Sequence, residues 1–251
     1  MSMTPSGIFI DDGGQGEVPL LFLHSLAGST EHWNDQLKAI RQTNRGITFD
    51  FAGHGRSKQI KDTPITLKAF VKNVEEVVGC LQLKQFILIG HSMGSAVAID
   101  YACRYPDQVA GLMLVDPVGD STQMPTEMVQ QIISGLESPS AQEFIEGYWQ
   151  QILTNATGQT YALVMQDLRE TPMEIIVPIL KELFNFNPLP LLQQYKGRKQ
   201  LVISPSTESP VSLHKLDPTL STKAIEETSH WLHLDRPEAF NAILNDFLVS
   251  V

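Results

Sequence analysis

The stretch FILIGHSMGSAVA, residues 86–98, sets Ser92 between Gly90 and Gly94, where an apolar run gives way to small residues. A serine at such a junction has a mechanical reading. A strand that turns sharply into a helix strains the residue at the corner and lifts its hydroxyl above the sheet. Glycines are needed two residues to either side, because side chains there would strike the neighbouring strand and helix. The first backbone N–H groups of the helix then face whatever the serine attacks. A hydroxyl is a poor nucleophile near neutral pH, so it needs an adjacent base, itself oriented by a carboxylate. The plainer alternative is a Gly/Ser turn that only joins two elements; the apolar run before it and the helical pattern after it favour a nucleophile.

The elements that would hold Ser92 alternate along the chain. PLLFLHS (19–25), GITFDFAG (46–53), KQFILIG (84–90), VAGLMLVDP (109–117), RKQLVISP (198–205) and TKAIEET (222–228) read as strands. Several are apolar throughout, as parallel strands buried on both faces are. EHWNDQLKAIRQ (31–42), TLKAFVKNVEEVVGCL (66–81), SAVAIDYACRYP (95–106) and RPEAFNAILNDFLVSV (236–251) read as helices at the helical spacing of their apolar residues. This alternation predicts an α/β sheet covered on both sides. Residues 119–195 break the pattern and are helical. There, Ser140 with Glu143 and Thr171 with Glu174 carry capping-box spacing, and Pro178 is expected to kink its helix. Because the chain afterwards returns to the sheet, 119–195 is read as a helical cap inserted into one domain spanning 1–251.

Composition limits the partners. The chain has 251 residues, 42% of them hydrophobic, with 18 Lys plus Arg against 28 Asp plus Glu, for a formal charge of −10. Such a surface repels phosphate backbones and anionic lipid, so neither nucleic acid nor a membrane is an expected partner. No apolar run approaches the ~18 residues of a membrane span. The N-terminus carries no signal-peptide pattern, and the two cysteines, Cys80 and Cys103, have neither disulfide-framework nor metal-ligand spacing. A cytoplasmic protein with no metal or organic cofactor is the expectation.

Four stretches in order, LFLHSLAGS, DFAGHGRS, GHSMGS and TSHWLHLDRPEAF, resemble the α/β-hydrolase superfamily, in its small single-domain group with a helical cap. The resemblance implies an eight-stranded, mostly parallel sheet with helices on both faces and a Ser–His–acid triad. It makes Ser92 the nucleophile and His230, between the last strand and the last helix, the base. Of the other histidines, it implies a structural role for His24 and His54, and the turn should aim His91 elsewhere. Its oxyanion hole uses two backbone N–H groups, which match Met93 and Leu26. Relatives commonly carry glycine where this chain has Ser25. The acid is the largest departure. Where relatives read Ile-x-Gly-x-x-Asp, this chain has Ile203, Pro205 and Glu208, and some relatives place the acid after the preceding strand, which matches Asp116. Glu208 is the favoured position and Asp116 the alternative.

A serine at the corner argues against relatives that dehalogenate alkanes or open epoxides with a carboxylate nucleophile. It points to acyl transfer, with cleavage of carboxylic esters of small to medium acyl groups the leading expectation. Lactones, thioesters and vinylogous C–C bonds would use the same machinery. A ligand-binding or signalling protein with little turnover is the competing class, since fold alone does not establish turnover.

Overall fold

The computed structural model describes residues 1–57 and 64–249. The last two residues expected in the closing helix, 250 and 251, lie outside that range. Eight strands form one sheet among the described residues: β1 (Ser2–Met3), β2 (Phe9–Gly13), β3 (Leu20–Leu23), β4 (Gly46–Phe49), β5 (Phe86–His91), β6 (Val109–Val115), β7 (Arg198–Ile203) and β8 (Thr222–Ala224). Their order is β1-β2-β4-β3-β5-β6-β7-β8. Only the β1–β2 and β2–β4 pairs are antiparallel. From β4 to β8 every pair is parallel.

The uniformly apolar strands are explained by two cores. In β3, Leu20 and Phe22 face one way and Leu21 and Leu23 the other; in β5, Ile87 and Ile89 oppose Phe86 and Leu88. Successive strand residues point to opposite faces, so burial on both sides requires every position to be apolar. One face packs on α1 (Asn34–Ile40), which follows a short 3-10 turn at Thr30–Trp33. The larger face packs on α2 (Leu67–Cys80) and α3 (Met93–Arg104). Thr66 caps α2 by accepting from the Ala69 N–H at 3.0 Å.

Between β6 and β7 the chain forms α4 (Thr126–Glu137), α5 (Ala141–Ile152), α6 (Gly158–Glu170), α7 (Met173–Leu183) and α8 (Pro188–Gln194). Neither expected capping box forms. Ser140 precedes α5 without a side-chain bond to it. Pro172 takes the N-cap position of α7, and Thr171 Oγ1 donates back to the Asp167 carbonyl at 2.8 Å, closing the end of α6 instead. Pro178 lies inside α7, which runs on to Leu183. After β7 come α9 (Leu213–Leu216), β8, α10 (Leu232–Asp235) and α11 (Pro237–Leu248), and α11 joins α1 on the smaller core. No single helix among the described residues is long and apolar enough to cross a membrane; α7 and α8 reach that length only as a pair bent by 74°.

Candidate active site

Ser92 stands at the corner between β5 and α3 with φ 52° and ψ −115°. A non-glycine residue held there stores roughly 1–3 kcal/mol of backbone strain, which the surroundings must offset. They do so from three sides. The Ser92 N–H donates to Val115 O at 3.0 Å, locking the corner to β6. Its carbonyl accepts from the Ser95 N–H at 2.8 Å and from the Ser95 hydroxyl. A Cβ on Gly90 would collide with the Gly94 carbonyl, and one on Gly94 would lie 2.5 Å from Leu23 O and 2.7 Å from His24 O. The glycine requirement therefore has two separate causes: Gly90 must clear the incoming helix and Gly94 the neighbouring β3.

His230 follows β8 and sits in the same cavity wall as Ser92. Its Nδ1 lies 2.6 Å from Asp116 Oδ2. Asp116 belongs to the turn after β6, with φ 38°, and its backbone N–H donates to Val202 O at 2.7 Å. Its carboxylate also accepts from the Ser204 N–H at 2.9 Å (Oδ1) and the Thr207 hydroxyl at 2.6 Å (Oδ2). Three donors converge on this buried carboxylate, so it is oriented before any ligand arrives. A carboxylate at His230 Nδ1 places the proton there and leaves Nε2 as the basic nitrogen.

Glu208, the favoured position for the acid, is not beside His230. Its carboxylate pairs with His214 Nε2 at 2.9 Å and Lys215 Nζ at 2.8 Å. The Lys215 hydrogen bond, with help from His214, holds it below the ordinary glutamate range. The physical reason is local. Pro205–Thr207 forms a 3-10 turn after β7, and the chain then delivers Glu208 to His214 and Lys215 of α9. The donors of that turn, Ser204 and Thr207, go to Asp116. A usable signal lay in the sequence: a short carboxylate closing LMLVD, and a serine/threonine-rich SPST run, residues 204–207, able to donate hydrogen bonds to it.

The expected oxyanion donors have different settings. Met93 is the first residue of α3, so its N–H has no acceptor within the helix. Leu26 lines the cavity in the loop after β3. In that loop the Ser25 carbonyl accepts from the Gly28 N–H at 3.1 Å and from His24 Nδ1 at 2.7 Å. The Ser25 hydroxyl, where relatives commonly have glycine, is buried and finds no partner among the described residues.

The remaining histidines are embedded. Burial pushes His24 and His54 down to about 3. His24 Nε2 accepts from the Phe51 N–H at 3.0 Å, tying the first loop to the loop after β4. His91 Nε2 donates to the His230 carbonyl at 2.9 Å, and burial holds the ring well below the ordinary histidine value. His233 stacks on Trp33 with ring centroids 4.3 Å apart. Among the described residues no group of three or more His, Cys, Asp or Glu is disposed to hold a metal ion.

Ser92, His230, Asp116 and Leu26 open onto one cavity of about 880 Å³. Its far walls come from Met128 and Ile132 of α4, Phe144 and Tyr148 of α5, and Leu180 and Leu183 of α7. The structure thus brings together a strained serine at a helix start, a histidine held by a buried carboxylate, and an apolar chamber. The chain belongs to the α/β-hydrolase fold family, whose model matches residues 18–168. It is a hydrolase-fold enzyme related to proteins named as lipases. It is 26% identical to the (lyso)-N-acylphosphatidylethanolamine lipase of Bos taurus, over 93% of this chain and 80% of that one. It is also 26% identical to the sn-1-specific diacylglycerol lipase of Danio rerio, over 94% and 80%. Among solved structures, AqDC, described for recognition and ring-cleavage of the Pseudomonas quinolone signal, superposes with a TM-score of 0.83 at 19% identity, covering 100% of this chain and 99% of its own, a likeness of fold.

Proposed function

We propose that this protein cleaves carboxylic esters through an acyl-enzyme on Ser92, with His230 as general base and acid and Asp116 as the carboxylate that orients it. The observation that carries this reading is the 2.6 Å contact between His230 Nδ1 and Asp116, in the cavity that Ser92 lines. His230 Nε2 takes the Ser92 proton as Oγ attacks the ester carbonyl, and Asp116 stabilises the imidazolium that forms. The N–H groups of Met93 and Leu26 receive the oxyanion, an effect worth ~3 kcal/mol per donor. His230 then protonates the leaving alkoxide, and water attacks the acyl-enzyme by the reverse path.

Acyl groups of small to medium length fit the apolar chamber. A second reading, hydrolysis of longer acyl lipids, is favoured by the chamber's volume of about 880 Å³, toward the upper end of the few hundred to roughly 1,000 Å³ of ordinary ligand pockets. The curated relatives named as lipases agree with it. The test is a series of p-nitrophenyl esters of increasing acyl length, run with the wild type and Ser92→Ala. Turnover that peaks at one acyl length and disappears in Ser92→Ala supports an esterase. Negligible turnover of every ester by the wild type supports a ligand-binding protein instead.

A further inference from the structure

Helix α6 lies in the inserted segment, yet both its ends are bonded to loops of the catalytic centre. At its N-terminal end, the N-cap residue Thr157 donates its backbone N–H to Asp235 Oδ1 at 2.9 Å. The other oxygen of Asp235 accepts from the Ser229 N–H at 2.8 Å and the Ser229 hydroxyl at 2.6 Å. Ser229 directly precedes His230, and its hydroxyl oxygen also accepts from the Trp231 N–H at 3.1 Å, so both neighbours of the histidine are held. The N–H of His230 itself donates to the carbonyl of Ile152, the last residue of α5, at 3.0 Å.

At the opposite end, Asp167 Oδ2 accepts from the Ser29 hydroxyl at 3.0 Å and lies 3.1 Å from His32 Nε2. Burial pushes the Asp167 carboxyl up, but its His32 and Ser29 partners outweigh that and leave it below the ordinary range. Ser29 closes the loop that carries Leu26. The His32 ring lies against Gly28, where a Cβ would come within 2.9 Å of it, and the Gly28 N–H closes the loop on Ser25 O. Ten residues separate Thr157 from Asp167, a span of about 15 Å at the helical rise. Val164, Met165 and Leu168 anchor the helix in the larger core.

We infer that α6 is a strut that sets the spacing between the His230 loop and the oxyanion loop, with Asp235 and Asp167 as positioning residues at its two ends. This rests on the Ser92–His230–Asp116 reading. The inserted segment then carries part of the catalytic geometry as well as the chamber walls. A displaced strut moves the base and the oxyanion donors relative to Ser92, which weakens transition-state binding more than substrate binding.

The experiment measures full-length wild type, Asp167→Ala, Asp235→Asn and Ser92→Ala with p-nitrophenyl acetate, whose acyl group is too short to depend on the far chamber walls. A trifluoromethyl ketone that forms a tetrahedral adduct with an active serine reports transition-state complementarity. Folding is checked by thermal unfolding. Asp167→Ala is expected to lose about 10- to 100-fold in kcat, with KM within about threefold, and to lose ketone affinity by a similar factor. Asp235→Asn should behave alike. If burial of Asp235 prevents that variant from folding, the partly exposed Asp167 carries the test. A folded Asp167→Ala with kcat and ketone affinity within twofold of wild type overturns the strut, and so does a loss confined to KM. Full turnover in Ser92→Ala removes instead the catalytic reading on which the strut rests, so the two failures are distinguishable.

Discussion

Replacing Asp116 by asparagine isolates the role of the carboxylate charge, because the side chain keeps its shape. In the folded protein, Oδ1 faces the Ser204 N–H, while Oδ2 faces both the Thr207 hydroxyl and His230 Nδ1. An amide has one oxygen and one NH2 group, so two orientations exist. With its oxygen on Ser204, the NH2 faces His230 Nδ1 and requires that nitrogen to be an acceptor. The proton then moves to Nε2, and the histidine can no longer take one from Ser92. With the amide flipped, the NH2 meets the Ser204 N–H, two donors face each other in a buried site, and the cost is about 1–3 kcal/mol. Neither orientation offers the imidazolium the negative charge of a carboxylate. We expect kcat for an activated ester to fall by ~10³–10⁴, or about 4–5 kcal/mol of barrier. Glu208→Gln alters only the contacts with His214 and Lys215 and should stay within about threefold of wild type. Steady-state kinetics of both variants, with circular dichroism to confirm folding, checks this. A loss under tenfold in Asp116→Asn, or one of 10³ in Glu208→Gln, would refute the argument that Asp116, in the turn after β6, is the carboxylate that serves His230.

Three further outcomes follow from the same contacts. Gly94→Ala should abolish soluble folded protein or unfold well below wild type, because its Cβ would lie 2.5 Å from Leu23 O; a near-normal melting temperature would show that the corner can relax. Stability should decline on acidification. His24 and His54 titrate near 3 when folded but at about 6.5 when unfolded, so between those values the unfolded chain binds more protons. The contribution is complete above about 6.5 and is lost as pH falls toward 3, at more than about 1 kcal/mol per pH unit for each histidine. Urea unfolding at pH 7, 6 and 5 measures it, and a flat profile would contradict neutral buried rings. Finally, Ile132→Trp on α4 should shift preference toward shorter acyl groups without reducing labelling of Ser92 by a fluorophosphonate; an unchanged profile would place selectivity elsewhere in the cavity.

What the sequence made legible follows from how each feature is encoded. Residues 86–94 declare themselves because the glycines, the strand and the serine must be contiguous for the corner to exist. The central strands are visible because burial on both faces leaves no room for polar residues. The edge was harder to see: β2 reads FIDDG, with two apolar residues in five, and β1 is two exposed residues. The boxes at Ser140 and Thr171 are local signatures overruled by context, since Thr171 had a better acceptor in the preceding turn. Glu208 matched a position in chain order, but order does not specify where a 3-10 turn aims its next residue. Asp167 gives no sequence signal, because its partner Ser29 is 138 residues away; Asp235 lies within the TSHWLHLDRPEAF stretch, but nothing there shows its bond to Thr157, 78 residues away.

The most direct test is to trap the covalent intermediate itself. Wild-type protein mixed with a p-nitrophenyl ester and quenched in acid within the first turnovers is examined by intact mass, then by peptide mapping. A Ser92 mechanism predicts a mass increase equal to one acyl group, located on the peptide that contains Ser92 and lengthened in lifetime by Asp116→Asn. Multiple turnovers with no acylated protein, or an acyl group found on another residue, would contradict it.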